Sequence, residues 1–69
     1  MKDLDKLLAE KQEAVARQPE SAEAYYELGV ILTEEERYEE ALDAYGMAMK
    51  LDPSNLTYFY NFEALSNKI

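Results

Sequence analysis

Hydrophobic residues recur every three or four positions in four stretches of the chain, and short polar breaks separate these stretches. Such spacing gathers the apolar side chains on one face of a helix. The pattern therefore predicts four α-helices, over residues 3–17, 22–34, 38–51 and 56–67.

Local signals place two of the three breaks. Pro19 and Pro53 each end a helix, because the residue before a proline is driven out of the helical region. Ser21 is a candidate N-cap for the second helix, since its hydroxyl can accept a free N–H of the first turn. Ser54 or Asn55 can serve the fourth helix in the same way.

The remaining break is indicated by the phase of the apolar residues. On one unbroken helix, the apolar stripe around Tyr25 would centre about 150° away from the stripe around Tyr45. A straight helix cannot bury both stripes against one neighbour, so we predict a turn within residues 34–37. Gly29 lies mid-helix on the first stripe, at a cost of about 1 kcal/mol against Ala. A glycine there indicates that another helix backbone passes close by.

The chain matches itself after a shift of 34 residues, which brings Pro19 onto Pro53 and Tyr25 onto Phe59. A half repeat (residues 1–21), a full repeat (22–55) and a half repeat (56–69) would then form a single domain. Lys11 falls on Tyr45, and Glu63 falls on Gly29. Polar residues at these places are typical of terminal helices that face water, and they favour a chain that ends here.

The full repeat resembles a tetratricopeptide (TPR) repeat. The residues that carry the resemblance are Tyr25, Leu28, Gly29, Leu32, Tyr38, Ala41, Tyr45, Ala48 and Pro53. The family usually has glycine at the place of Glu36, where a left-handed backbone would cost glutamate about 1 kcal/mol more than glycine. The resemblance implies an all-α fold of four antiparallel helices, forming a short right-handed α-solenoid of the TPR type.

Composition removes several classes of function. The chain has no cysteine and no histidine, so it lacks the commonest zinc ligands and the commonest general base. The carboxylate run of residues 34–40 could imitate a catalytic pair or a cation site, but a solvated charge run is favoured, because nothing would desolvate it. We expect no enzymatic activity, no metal and no cofactor.

The net charge is −8, from 15 acidic and 7 basic residues. Nucleic acids and anionic membranes should repel such a chain, whereas a basic protein partner is compatible with it. The sequence has no apolar run of signal-peptide or membrane-span length. We therefore expect a soluble, cytoplasmic protein.

The resemblance implies a function in protein binding. TPR modules generally hold a peptide or a partner helix in a concave groove, which is lined by the first helix of each repeat. The corresponding residues here are Glu23, Tyr26, Val30, Thr33, Glu34, Thr57, Tyr60, Asn61, Ala64 and Asn67. Tyr26 and Tyr60 are repeat equivalents and would form aligned anchors. The acidic rim would favour a partner that carries Lys or Arg.

The alternative is self-assembly through the terminal helices, as a homodimer or a longer stack. Its candidate residues are Tyr58, Phe59 and Ile69, which we expect to be exposed at one end of the solenoid. For Phe59 we expect partial exposure, because its place faces a helix that the chain does not supply.

Overall fold

The computed structural model describes residues 3–69, which form four α-helices joined by short turns. These are α1 (Asp3–Arg17), α2 (Ala22–Glu34), α3 (Tyr38–Leu51) and α4 (Leu56–Lys68). The described residues contain no strand. Each helix packs on its neighbour in sequence, and the interface between α2 and α3 is the most extensive. The predicted all-α, four-helix fold is confirmed.

The first three helices have the predicted bounds, and α4 ends at Lys68, one residue later than predicted. No helix-breaking residue follows Asn67, and the positive charge of Lys68 suits the negative end of the helix dipole. The hydroxyl of Ser21 accepts the N–H of Ala24 at 3.2 Å, so it caps α2 as predicted. For α4, the cap is Asn55, whose Oδ1 accepts the N–H of Thr57 at 3.0 Å.

The predicted turn between α2 and α3 depends on Glu36, which has a φ of 62°. This left-handed residue reverses the chain, and the N–H groups of Glu36 and Arg37 donate to the carbonyls of Thr33 and Leu32, both at 2.9 Å. The turn thus satisfies carbonyls that the end of α2 would otherwise leave open.

The core lies mainly between α2 and α3, which share the most extensive helix interface. Ala41 and Ala48 are wholly buried, and Tyr45 is buried between them. The aromatic ring of Tyr45 explains Gly29: a Cβ on this glycine would lie 2.6 Å from Cδ1 and Cε1 of Tyr45. The prediction of a close approach was therefore right, but the close group is a tyrosine ring and not a helix backbone.

A second buried face of α2 escaped the sequence pattern. Ala24 and Ile31 are buried there, on the same side as Glu27, whose carboxylate binds Lys11 of α1 at 3.0 Å. The equivalent face of α4 carries Tyr58 and Leu65, both buried.

The expectation that Tyr58 is exposed was therefore wrong: its side chain is only 8 % exposed. The reason is that α4, like α2, packs on the helix that precedes it in the chain. Tyr58 lies on the face directed back into the chain.

Candidate functional site

Three of the predicted groove residues line one cleft between α2 and α4. They are Thr33, Asn61 and Ala64, and the cleft measures about 170 Å³. Tyr45, Leu65 and Lys68 complete its lining. We call this space, with its six lining residues, the α2–α4 cleft. The cleft lies between α2 and α4 because both helices pack on α3. The side chain of Tyr45, on α3, forms part of its floor.

The two predicted anchors lie in different aromatic clusters. The ring of Tyr26 is half-buried, and its centroid is 5.8 Å from that of Tyr45 and 5.1 Å from that of Tyr58. Tyr60 is exposed, and its ring centroid is 5.8 Å from that of Phe59. Tyr58 and Tyr60 point about 200° apart around α4, and it is the inward-facing Tyr58 whose ring meets Tyr26.

The other predicted groove residues are mostly exposed. Glu23, Glu34, Thr57 and Asn67 are exposed on α2 and α4. Val30 is partly buried and packs against the core, so it contributes more to helix packing than to an open surface.

The polar groups of the α2–α4 cleft are partly satisfied within the chain. The Thr33 hydroxyl donates to the carbonyl of Gly29 at 2.8 Å, and its oxygen is 3.5 Å from the Tyr45 hydroxyl. The Asn61 side-chain N–H donates to the carbonyl of Thr57 at 2.7 Å. The amide oxygen of Asn61 therefore remains as an acceptor at the edge of the cleft.

Burial and nearby acidic side chains raise the pKa values of the two buried tyrosines, Tyr45 and Tyr58. Burial raises the pKa of Tyr45, the nearby Thr33 hydroxyl opposes this rise, and the negative charge of Glu34 adds to it. Burial also raises the pKa of Tyr58, and the charges of Asp52 and Glu23 add to this effect. The tyrosines consequently lie in a negative local field.

The ion pairs within residues 3–69 leave two carboxylates of α2 unpaired. The ion pairs seen within residues 3–69 engage Glu13, Glu27, Glu35 and Glu40 with Arg17, Lys11 and Arg37. Glu23 and Glu34 take part in none of them. These two residues thus give α2 an exposed negative edge that could bind a cation of a partner.

Across residues 3–69, no three His, Cys, Asp or Glu side chains come together where they could hold a metal ion. None of the four described helices is both long and apolar enough to cross a membrane.

The sequence pattern does not assign Tyr45, Leu65 and Lys68 to the cleft. It indicates core positions for Tyr45 and Leu65, and both are buried, but one edge of each still borders the open space. The signal that could have found Tyr45 is its repeat spacing, which places a large ring opposite the small Gly29.

Residues 22–55, which comprise α2, α3 and their flanking turns, match the model of the tetratricopeptide repeat. No curated protein matches the chain.

Proposed function

The chain belongs to the tetratricopeptide repeat family, which generally serves protein–protein interaction, and on this premise we propose that it binds a peptide or helix of another protein in the α2–α4 cleft. The observation that carries the proposal is the meeting of Thr33, Asn61 and Ala64 around one open space.

The size of the cleft limits what enters it. A volume of about 170 Å³ is below the roughly 300–1,000 Å³ that is usual for small-molecule pockets. This is room for one large side chain and not for a whole ligand. The ring of Tyr45 and the side chain of Leu65 give the floor apolar character, so an apolar anchor of the partner suits it best.

The charge around the cleft favours a basic partner. The negative charge of Glu34, at the end of α2, raises the pKa of Tyr45. The charge of Glu23, at the start of α2, raises the pKa of Tyr58. Lys68 lies on the α4 side. We therefore propose a partner segment with one apolar anchor and with Lys or Arg on the side that meets α2.

We propose that the chain acts by binding alone, without catalysis. Burial raises the pKa of Tyr45 above its usual range, so its hydroxyl stays protonated at neutral pH and is not a general base. Thr33 is a weak nucleophile, because its hydroxyl proton is donated to the backbone carbonyl of Gly29.

The test is a selection of peptides from a displayed random library on the immobilised chain, followed by fluorescence anisotropy with the enriched peptides. We expect enriched sequences to carry a net positive charge and one large apolar residue. Ala64→Arg should weaken their binding about tenfold or more, because the new side chain fills the cleft and repels a basic peptide.

The matched control is Ala16→Arg, the same substitution on the exposed surface of α1. It changes the net charge equally and should leave peptide affinity unchanged. If the enriched peptides bound the Ala64→Arg variant as tightly as the Ala16→Arg variant, the cleft would not be the binding site.

A second candidate function is self-assembly, and the exposure of two large apolar residues at the α4 end favours it. Phe59 is 44 % exposed, as expected, and Ile69 is 61 % exposed. Tyr58 no longer belongs to this surface, since it is buried. Light scattering on a sizing column, over a wide concentration range, should show association that Phe59→Glu abolishes; a monomer at every concentration would exclude this candidate.

A further inference from the structure

The two terminal helices carry complementary halves of the interface that joins α2 to α3. We propose that copies of this chain stack head to tail, with α4 of one copy packed against α1 of the next in the register of α2 on α3. The occupant of each end face is thus a second copy of the same chain. The proposal gives the self-assembly candidate its geometry and rests on it.

The interface to be repeated is known from the full repeat. Tyr45 of α3 lies in a socket on α2 that is formed by three residues. Its ring contacts Gly29 so closely that a Cβ would clash, its centroid is 5.8 Å from the ring centroid of Tyr26, and its hydroxyl is 3.5 Å from that of Thr33. This socket fixes how α3 is placed along α2.

The 34-residue repeat shows which residues of the terminal helices are equivalent to those of this socket. Lys11 of α1 takes the place of Tyr45. On α4, the places of Tyr26, Gly29 and Thr33 are taken by Tyr60, Glu63 and Asn67. Within the described residues, α1 packs mainly on α2 and α4 packs mainly on α3. Glu63 is exposed on α4, and Lys11 is partly exposed on α1, where its ammonium also binds Glu27 of α2. The helix that would complete each socket is not supplied by residues 3–69.

The transferred residues are chemically complementary. In the proposed register, the Glu63 carboxylate of one copy faces the Lys11 ammonium of the next, where glycine faces tyrosine within the full repeat. A lysine chain is narrower than a tyrosine ring, which leaves room for the glutamate. Tyr60 would offer its ring face to the same ammonium, and Asn67 would offer its amide oxygen.

Lys11 is already positioned for this role. Its ammonium binds Glu27 at 3.0 Å and its side chain remains 29 % exposed. An ammonium has three N–H donors, so Glu27 of its own copy and Glu63 and Asn67 of the neighbouring copy would use all three. Tyr45, whose place in the repeat Lys11 takes, likewise borders residues of two helices, α2 and α4.

Apolar groups support the same register. Leu7 is 38 % exposed on α1, and it takes the place of Ala41, which is wholly buried in the full repeat. Phe59, on α4, takes the place of the half-buried Tyr25. Stacking would cover both side chains, and removing exposed apolar area from water favours association.

The contact is heterologous, because it joins two different surfaces. Such contacts either close into a ring or extend as an open stack. The net charge of −8 per chain opposes stacking. We therefore expect the average molar mass to rise with protein concentration and with salt, which screens the repulsion between whole chains.

Charge reversal tests the register directly. Lys11→Glu brings a second carboxylate against Glu63, and Glu63→Lys brings a second ammonium against Lys11, so each variant alone should associate about tenfold or more weakly than the wild type. In an equimolar mixture of the two variants, both alternating contacts pair opposite charges. The mixture should therefore recover the wild-type molar mass in sedimentation velocity at the same total concentration.

The control variants are Lys6→Glu and Glu39→Lys, which make the same charge changes at exposed positions on α1 and α3. They should associate like the wild type. Circular dichroism of each variant verifies folding, and Glu63→Lys keeps the test valid even if Lys11→Glu destabilises the monomer through Glu27.

The outcomes separate the register from self-assembly itself. Association that is weak in each single variant and recovers in the mixture supports the proposed stack. Association of the wild type that neither single reversal weakens would overturn the register and leave self-assembly standing. A wild-type chain that is monomeric at every concentration and salt would overturn both, while peptide binding in the α2–α4 cleft would be unaffected.

Discussion

At the scale of single residues, Tyr45 determines which side chains its neighbours can have. Its ring fills the space beside Gly29 and touches the cluster of Tyr26 and Tyr58 through Tyr26. It also forms part of the floor of the α2–α4 cleft. One buried residue thus links the packing of α2 on α3 with the proposed binding surface.

The two glycines should respond in opposite ways to the same substitution. Gly29→Ala places a Cβ 2.6 Å from the ring of the buried Tyr45. The gain in helix propensity of about 1 kcal/mol is smaller than an overpacking cost of about 1–3 kcal/mol. We expect a net loss of about 1 kcal/mol in the free energy of unfolding, measured by urea denaturation.

Gly46→Ala is the matched control, since the nearest atom to its added Cβ is Cε2 of Phe62 at 4.0 Å. This is ordinary contact, so the helix propensity term should stabilise the protein by up to about 1 kcal/mol. Equal effects of the two substitutions would show that the Tyr45 ring yields without cost.

The buried hydroxyl of Tyr45 predicts a loss of stability in alkali. Burial raises its pKa in the folded state above the unfolded value of about 10. The neutral form therefore stabilises the fold fully below pH about 10, and this contribution is lost as the pH rises through the folded pKa. Urea denaturation at pH 8 and above pH 10 should show a smaller decrease for Tyr45→Phe than for the wild type. Identical decreases would contradict this assignment.

At the scale of elements, the turn between α2 and α3 is a weak point that the sequence reveals. Glu36 adopts a φ of 62°, where glycine is favoured by about 1 kcal/mol. We expect Glu36→Gly to raise the free energy of unfolding by about that amount. Glu35→Gly removes the same charge at a residue with a φ of −88°, and it should give no such gain. A loss of stability in Glu36→Gly would mean that the glutamate makes a contact worth more than the strain.

The helices were predictable because their signals are local. Pro19, Ser21 and Pro53 fix ends of helices through the geometry of a few neighbouring atoms, and the phase shift around residues 34–37 needs only the helix period. The sequence leaves the cap of α4 open between Ser54 and Asn55, because either side chain could reach the first turn. The Ser54 hydroxyl instead binds Asp52 at 3.2 Å, and Asn55 is the cap.

The candidate site was less predictable, because it depends on how helices lie against each other. Tyr58 and Tyr60 are both aromatic, and only the packing of α4 back onto the chain decides that Tyr58 is buried and Tyr60 exposed. The cleft arises in the same way: the resemblance to TPR repeats suggested Thr33, Asn61 and Ala64 as groove residues, but the contributions of Tyr45 and Lys68 follow from distances between helices.

At the scale of the whole molecule, stability should decrease from the middle helices toward both ends. α3 packs on two helices and contains the wholly buried Ala41 and Ala48, whereas α1 and α4 each pack mainly on one neighbour. The stability of a helical repeat protein is approximately a sum of contributions from each repeat and from its contacts with its nearest neighbours. Native-state hydrogen exchange should therefore show the strongest amide protection in α3 and the weakest in α1 and α4.

Two matched core variants test whether the ends open independently. Leu65→Val and Leu8→Val each remove one methylene from a buried leucine, at a cost of about 1 kcal/mol. In native-state hydrogen exchange, the first should raise amide exchange throughout α4 and leave α1 unchanged, while the second should do the reverse.

If either variant raised exchange equally in all four helices, the molecule would open as one cooperative unit, and contacts between neighbouring helices would be too strongly coupled for the ends to open separately. Independent opening of the ends would also mean that any partner covering α1 or α4 stabilises that helix first, since binding to the closed state alone shifts its opening equilibrium.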